Sequence, residues 1–171
     1  TTPGIVHDLG GRLVDAFHGR LPYPLTGAQQ RVIAEIEADL GRTFPMHRLL
    51  QGDVGSGKTV VAVSALLVAV QGGHQGALMA PTEVLAEQHH LGLRDLLADL
   101  TVPDDSTLMG ERPLRLELLT NRTTGTERTR LLSGLADGTV DLVVGTHALI
   151  QDQVSFRSLG VVVIDEQHRF G

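Results

Sequence analysis

Cysteine and tryptophan are absent from the 171 residues, and tyrosine occurs once, phenylalanine four times and lysine once, at Lys58. The lack of cysteine excludes a disulfide framework and any thiolate metal site. With aromatics at 3%, a core must be built from Val, Leu, Ile and Ala, the composition of strands covered on both faces. The longest apolar stretch, Val60–Val70, contains Ser64 and is too short to span a bilayer. No secretory signal is read at the start, so a cytoplasmic protein without membrane contact is expected. Net positive charge is also lacking: 14 Lys and Arg against 20 Asp and Glu give −6, which excludes a surface that grips nucleic acid all over and requires any such contact to be local.

What remains is a globular composition, 42% hydrophobic and 20% charged, of a length suited to one domain. Residues 1–20 read as a linker helix weakened by glycines, with residues 21–171 forming the main unit. After Leu21–Thr26, extended by its two prolines, Val32, Ile33, Ile36 and Leu40 recur at helical spacing over 27–40, with Gly41 as the stop. Strands are then predicted at 48–51, 77–80, 114–119, 141–144 and 160–164, and helices at 58–71, 82–100 and 126–136. That alternation implies an α/β fold with a mostly parallel sheet and helices on both faces. The polar, turn-rich stretch 101–113 reads as a surface insertion.

Two motifs carry chemistry. Gly52–Thr59, GDVGSGKT, fits the phosphate-loop pattern between a strand and an aliphatic helix. Gly52, Gly55, Ser56 and Gly57 let the backbone aim amides at phosphate oxygens, Lys58 sets a compact cation beside the β- and γ-phosphates, and Thr59 offers a hydroxyl to Mg²⁺. A nucleotide's phosphate chain with Mg²⁺ is therefore the expected ligand. The β-branched run Val161–Ile164 delivers Asp165 and Glu166 to a strand end. There the first would hold Mg²⁺, directly or through water, and the second would orient or deprotonate the attacking water.

These motifs, with LTGAQQ (25–30), APTEVLAEQHH (80–90), GTHALIQ (145–151) and DEQHRFG (165–171), closely resemble the first RecA-like lobe of the RecG family of superfamily-two DNA helicases. The resemblance spans about residues 20–171. Ser56, Gln167 and Glu83 set the chain apart from the related transcription-repair coupling factors. The resemblance implies an ATP-driven translocase on branched DNA, acting on stalled forks and Holliday junctions in repair and recombination. It implies that Gln29 contacts adenine, that Pro81 and Thr82 and then Gly145, Thr146 and His147 face DNA, and that His168 links hydrolysis to movement of the other lobe. Catalytic roles fall to Lys58, Asp165, Glu166 and His168.

Several of these residues have plainer readings. Thr26 and Gln29 form a capping box by spacing, and Gln29 could serve both ends. Thr82 is an ordinary helix cap, though an exposed helix N-terminus also suits phosphate; Glu83 would oppose such a phosphate unless turned away. His89 and His90 read as helix-surface residues, and no zinc site is expected. From Arg112 to Arg130, five arginines (112, 115, 122, 128 and 130) face two glutamates, the expected electrostatic footprint for a nucleic-acid backbone, with a solvated helix face as the alternative. LTNR (119–122) departs from the family's LTGS, and Asn121 could replace the glycine in a left-handed conformation.

The resemblance further implies partners beyond these residues: a second RecA-like lobe supplying an arginine to the γ-phosphate, and a wedge domain before Thr1 that grips branched DNA. Without that arginine the chain alone is expected to bind ATP but turn it over slowly or not at all. The lobe is also expected to be incomplete at its C-terminus, with a gap between the phosphate-loop strand and the Asp165 strand. The alternatives are a nucleotide-gated DNA-binding module and a stand-alone oligomeric NTPase that borrows Arg122 or Arg130 from a neighbour.

Overall fold

The computed structural model describes residues 13–21, 23–40, 48–52 and 56–165, with 36–37, 39–40, 48–52 and 56–59 described by backbone alone. In chain order the elements are α1 (13–18), α2 (Gly27–Leu40), β1 (Arg48–Gly52), α3 (Ser56–Gln71), β2 (Gln75–Ala80), α4 (Glu83–Leu96), β3 (Thr101–Pro103), β4 (Glu111–Pro113), β5 (Leu116–Leu119), α5 (Gly125–Asp137), β6 (Leu142–Thr146), α6 (His147–Gln153) and β7 (Leu159–Asp165). Five strands form one parallel sheet in the order β1-β7-β2-β6-β5.

Alternation along each strand divides the core into two layers. Leu78, Ala80, Leu142, Val144, Val161 and Val163 pack with α1, α3 and α4, whereas Ala77, Met79, Val143 and Val162 pack with α5 and α6. α3 has no charged residue beyond Lys58, and its Val63, Ala65, Leu66, Leu67 and Ala69 are all buried, as befits a helix covered all round. α5 closes on Gly138, whose φ of 89° suits the left-handed cap that glycine adopts without strain.

Four features differ from the sequence expectations. The part of the predicted linker helix that is described docks on the core: Leu13, Val14 and Phe17 are buried, the Val14 amide donates to Gln71 Oε1 at 3.0 Å, and His18 Nε2 lies 2.9 Å from Ser64 Oγ. The predicted insertion at 101–113 contains an antiparallel ribbon, β3 with β4. α6 was not expected, because seven residues give too short a period to recognise. The expected gap between the phosphate-loop strand and the Asp165 strand is absent, since β1 pairs β7 directly, from Arg48 opposite Val161 to Gly52 opposite Asp165.

Polar anchors fix the sheet to its connections. The buried Gln75 amide donates to the Leu135 and Val140 carbonyls at 3.0 and 2.8 Å, and its oxygen accepts from the Ser158 amide at 2.9 Å. Buried Asp141 accepts two bonds from the Arg112 guanidinium at 2.8 and 2.9 Å and one from the Arg115 amide at 2.8 Å. The bonds to Asp141 hold the Arg112 pKa above its ordinary value. Arg112 therefore fastens the β3-β4 ribbon to the start of β6.

Arg112→Ala is expected to lower stability by about 3 kcal/mol in urea titration, the low end for a broken buried pair because the arginine is partly exposed; a change near zero would mean that solvent screens the pair. At Gly145, an added Cβ would lie 2.8 Å from the Leu119 carbonyl oxygen and 3.2 Å from Ile150 Cγ1. Gly145→Ala is expected to cost about 1–3 kcal/mol in the same assay by overpacking, and unchanged stability would remove the packing reason for this glycine.

Candidate functional site

All five strands finish at one edge, because the registers pair Gly52 with Asp165, Met79 with Ile164, Ala80 with Thr146 and Leu119 with Gly145. In an open parallel sheet this C-terminal edge is where ligands bind. The edge is about 19 Å across at the usual strand spacing.

At one end of it Gly52 closes β1, and Ser56, Gly57, Lys58 and Thr59 form the first turn of α3. The first amides of a helix have no partner within it, and the macrodipole adds partial positive charge there. Gly55, Glu166 and His168 lie outside the described residues. Asp165 ends β7 beside Gly52, with its side chain fully buried. Its chemistry fits Mg²⁺, a hard cation that is held by one or two carboxylates together with nucleotide phosphates. Thr59, in the adjacent helical turn, adds a residue type of the same hard-oxygen class. Among the described residues no cluster of three or more His, Asp or Glu could hold a metal ion by itself.

Gln29 opens α2, where it makes the capping box: its Oε1 accepts from the Thr26 amide at 2.9 Å and its amide donates to Thr26 Oγ1 at 3.1 Å. This is the capping box that the spacing of Thr26 and Gln29 predicts.

The strand-facing candidates occupy the other end of the edge. Pro81 and Thr82 follow β2; Thr82 caps α4, its hydroxyl accepting from the Leu85 amide at 3.2 Å. Gly145 and Thr146 end β6, Thr146 caps α6, and His147 begins it. His147 Nε2 is buried with no hydrogen-bond partner in the structure. The Glu83 carboxylate accepts from the Asn121 amide at 2.6 Å. This bond joins the segment after β2 to the segment after β5.

Two expectations require correction. Asn121 does not take the left-handed conformation, since Asp99 is the only non-glycine residue with positive φ among those described. What the structure uses at Asn121 is its backbone N–H, which any residue but proline supplies. The arginine-rich stretch does not form one basic patch. Arg112 is spent on Asp141, and Arg128 bonds Gln153 and the Thr120 carbonyl. Arg122 pairs with Glu87 at 3.3 Å while remaining largely exposed. Arg115, Arg122 and Arg130 line one groove of about 370 Å³, but Glu87, Glu117 and Glu127 line it too. His90 in that groove has its pKa lowered, chiefly by burial and then by Arg94, so it adds no reliable positive charge.

His89, read from the sequence as a helix-surface residue, is corrected as well. His89 Nε2 lies 2.7 Å from Asp165 Oδ2, with the imidazole largely buried. The available signal was helical spacing, since Ala86, His89 and Leu93 share the core-facing stripe of α4.

Comparison with known proteins agrees with the fold. The DEAD/DEAH box helicase family matches residues 26–171. The "ATP-dependent DNA helicase RecG" of Synechocystis sp. is 53% identical over 161 residues, covering 94% of this chain and 18% of that protein. Its counterpart from Bacillus subtilis is 49% identical over 170 residues, covering 99% of this chain and 23% of that protein. The chain thus spans about a fifth of the length of these curated relatives. The solved "Structure of RecG bound to three-way DNA junction" superposes with a TM-score of 0.76 at 45% identity, covering 94% of this chain and 20% of that one. The sheet is accordingly a RecA-like lobe, and the chain belongs to the DEAD/DEAH box helicase family.

Proposed function

We propose that the chain is the ATP-binding motor lobe of a DNA helicase that remodels branched DNA, such as stalled forks and Holliday junctions, in repair and recombination. The observation that carries this reading is the order of the strands along the edge. Gly52 and Asp165 end β1 and β7 side by side at one end, and three threonine-capped segments follow β2, β6 and β5 at the other.

In this reading the amides of the first α3 turn and Lys58 bind the β- and γ-phosphates, and Gln29 contacts the base. Thr59 and Asp165 hold Mg²⁺, which when bound neutralises charge on the transferring phosphoryl group. Glu166 orients the attacking water and takes its proton as the new P–O bond forms and the bond to ADP breaks. His168 relays the change to a second RecA-like lobe, whose arginine completes the site; without it turnover is slow. Pro81, Thr82, Thr146, His147 and Arg122 face the DNA backbone, Gly145 supports that turn from the core instead of facing DNA as the resemblance implied, and Glu83 is engaged by the Asn121 amide. No helix among the described residues is long and apolar enough to cross a membrane.

In a protein carrying this lobe with its second lobe, branched DNA is expected to stimulate ATP hydrolysis, and Lys58→Ala to lower the stimulated rate by about 10²-fold or more. A rate indifferent to DNA, or undiminished by the substitution, would contradict the proposal.

A further inference from the structure

Asp165 is a fully buried carboxylate at the end of β7, and a buried charge of this kind requires hydrogen-bond donors. His89 supplies one from a different element, its Nε2–H donating to Oδ2 across 2.7 Å. Bonds from a ring N–H to an ionised oxygen are short and roughly twice as strong as neutral ones, so this contact fixes the rotation of the carboxylate. The imidazole is itself held: α4 is capped at Thr82, seven residues and about 10 Å earlier along the axis, and anchored by buried Ala86 and Leu93 on either side of His89.

We propose that His89 is a positioning residue for the metal-binding carboxylate, setting the plane of Asp165 so that it meets Mg²⁺ when nucleotide enters. The inference rests on the nucleotide site proposed above. Mg²⁺ tolerates little departure from octahedral geometry, so a freely rotating carboxylate would bind it less well than one held in advance. Hydrogen-bond partners of ligating groups typically influence metal affinity 10- to 100-fold.

The test is calorimetric titration of the chain with ATP, once with Mg²⁺ and once with EDTA, for the wild type, His89→Ala, His89→Leu and His89→Gln. With Mg²⁺, His89→Ala and His89→Leu are expected to bind ATP about 10- to 100-fold more weakly, and His89→Gln, which retains an N–H donor, to recover most of the loss. With EDTA all four should bind alike. Should His89→Ala fail to fold by circular dichroism, the Leu and Gln variants carry the comparison. Wild-type affinity in the Leu variant with Mg²⁺ would overturn the proposal. So would an equal loss with and without the metal, which would mark a purely structural role, and so would a Gln variant as weak as Leu. If the wild type binds no ATP under either condition, the nucleotide site itself is refuted and the role of His89 with it.

Discussion

The in-register pairing of β1 with β7 is the constraint on which the rest of the structure depends. It sets Gly52 beside Asp165, so the end of β1 and the buried carboxylate are neighbours across one strand spacing. Because every strand of the sheet is parallel, the chain must return by a crossover each time. The same C-terminal edge therefore receives the ends of β2, β6 and β5 as well. A shift of β1 by one residue would move Gly52 away from Asp165 and separate the groups that a nucleotide phosphate and its cation need together.

The aliphatic composition makes such a sheet possible, and a few buried polar side chains hold its ends in place. Gln75 ties the start of β2 to the end of α5 and to the residue before β7. Asp141 joins the β3-β4 ribbon to β6 through Arg112. Glu83 joins the segments after β2 and β5. His89 joins α4 to the end of β7. These contacts connect elements distant in sequence, so they act on the relative position of the loops more than on any one helix or strand.

Much of this was legible in the sequence because local patterns carry it. The alternation of aliphatic runs and helical periods indicates the parallel sheet. The Val161–Ile164 run places Asp165 at a strand end, and the Thr26–Gln29 spacing gives the capping box that the structure contains. What was illegible depends on tertiary partners. Arg112 looked like part of a basic footprint because composition cannot reveal that Asp141, 29 positions later, claims its guanidinium. His89 looked like a surface residue because two adjacent histidines on a helix point in different directions, one to Asp165 and the other to the groove beside Arg115. The docked α1 and the direct pairing of β1 with β7 are likewise settled by packing between separate segments.

The central claim is a division of the edge, with nucleotide at the β1-β7 end and DNA at the β2-β6-β5 end. Hydrogen–deuterium exchange of the chain, with Mg·ATP and separately with single-stranded DNA, tests it most directly, because the first-turn helix amides that no cap takes up lack helical partners and slow when a ligand accepts their protons. Mg·ATP is expected to slow exchange at residues 56–59 and to leave 147–148 unchanged, and DNA to slow exchange at 83–84 and 147–148. Protection by both ligands at the same residues, or by Mg·ATP at the β6 end alone, would contradict it.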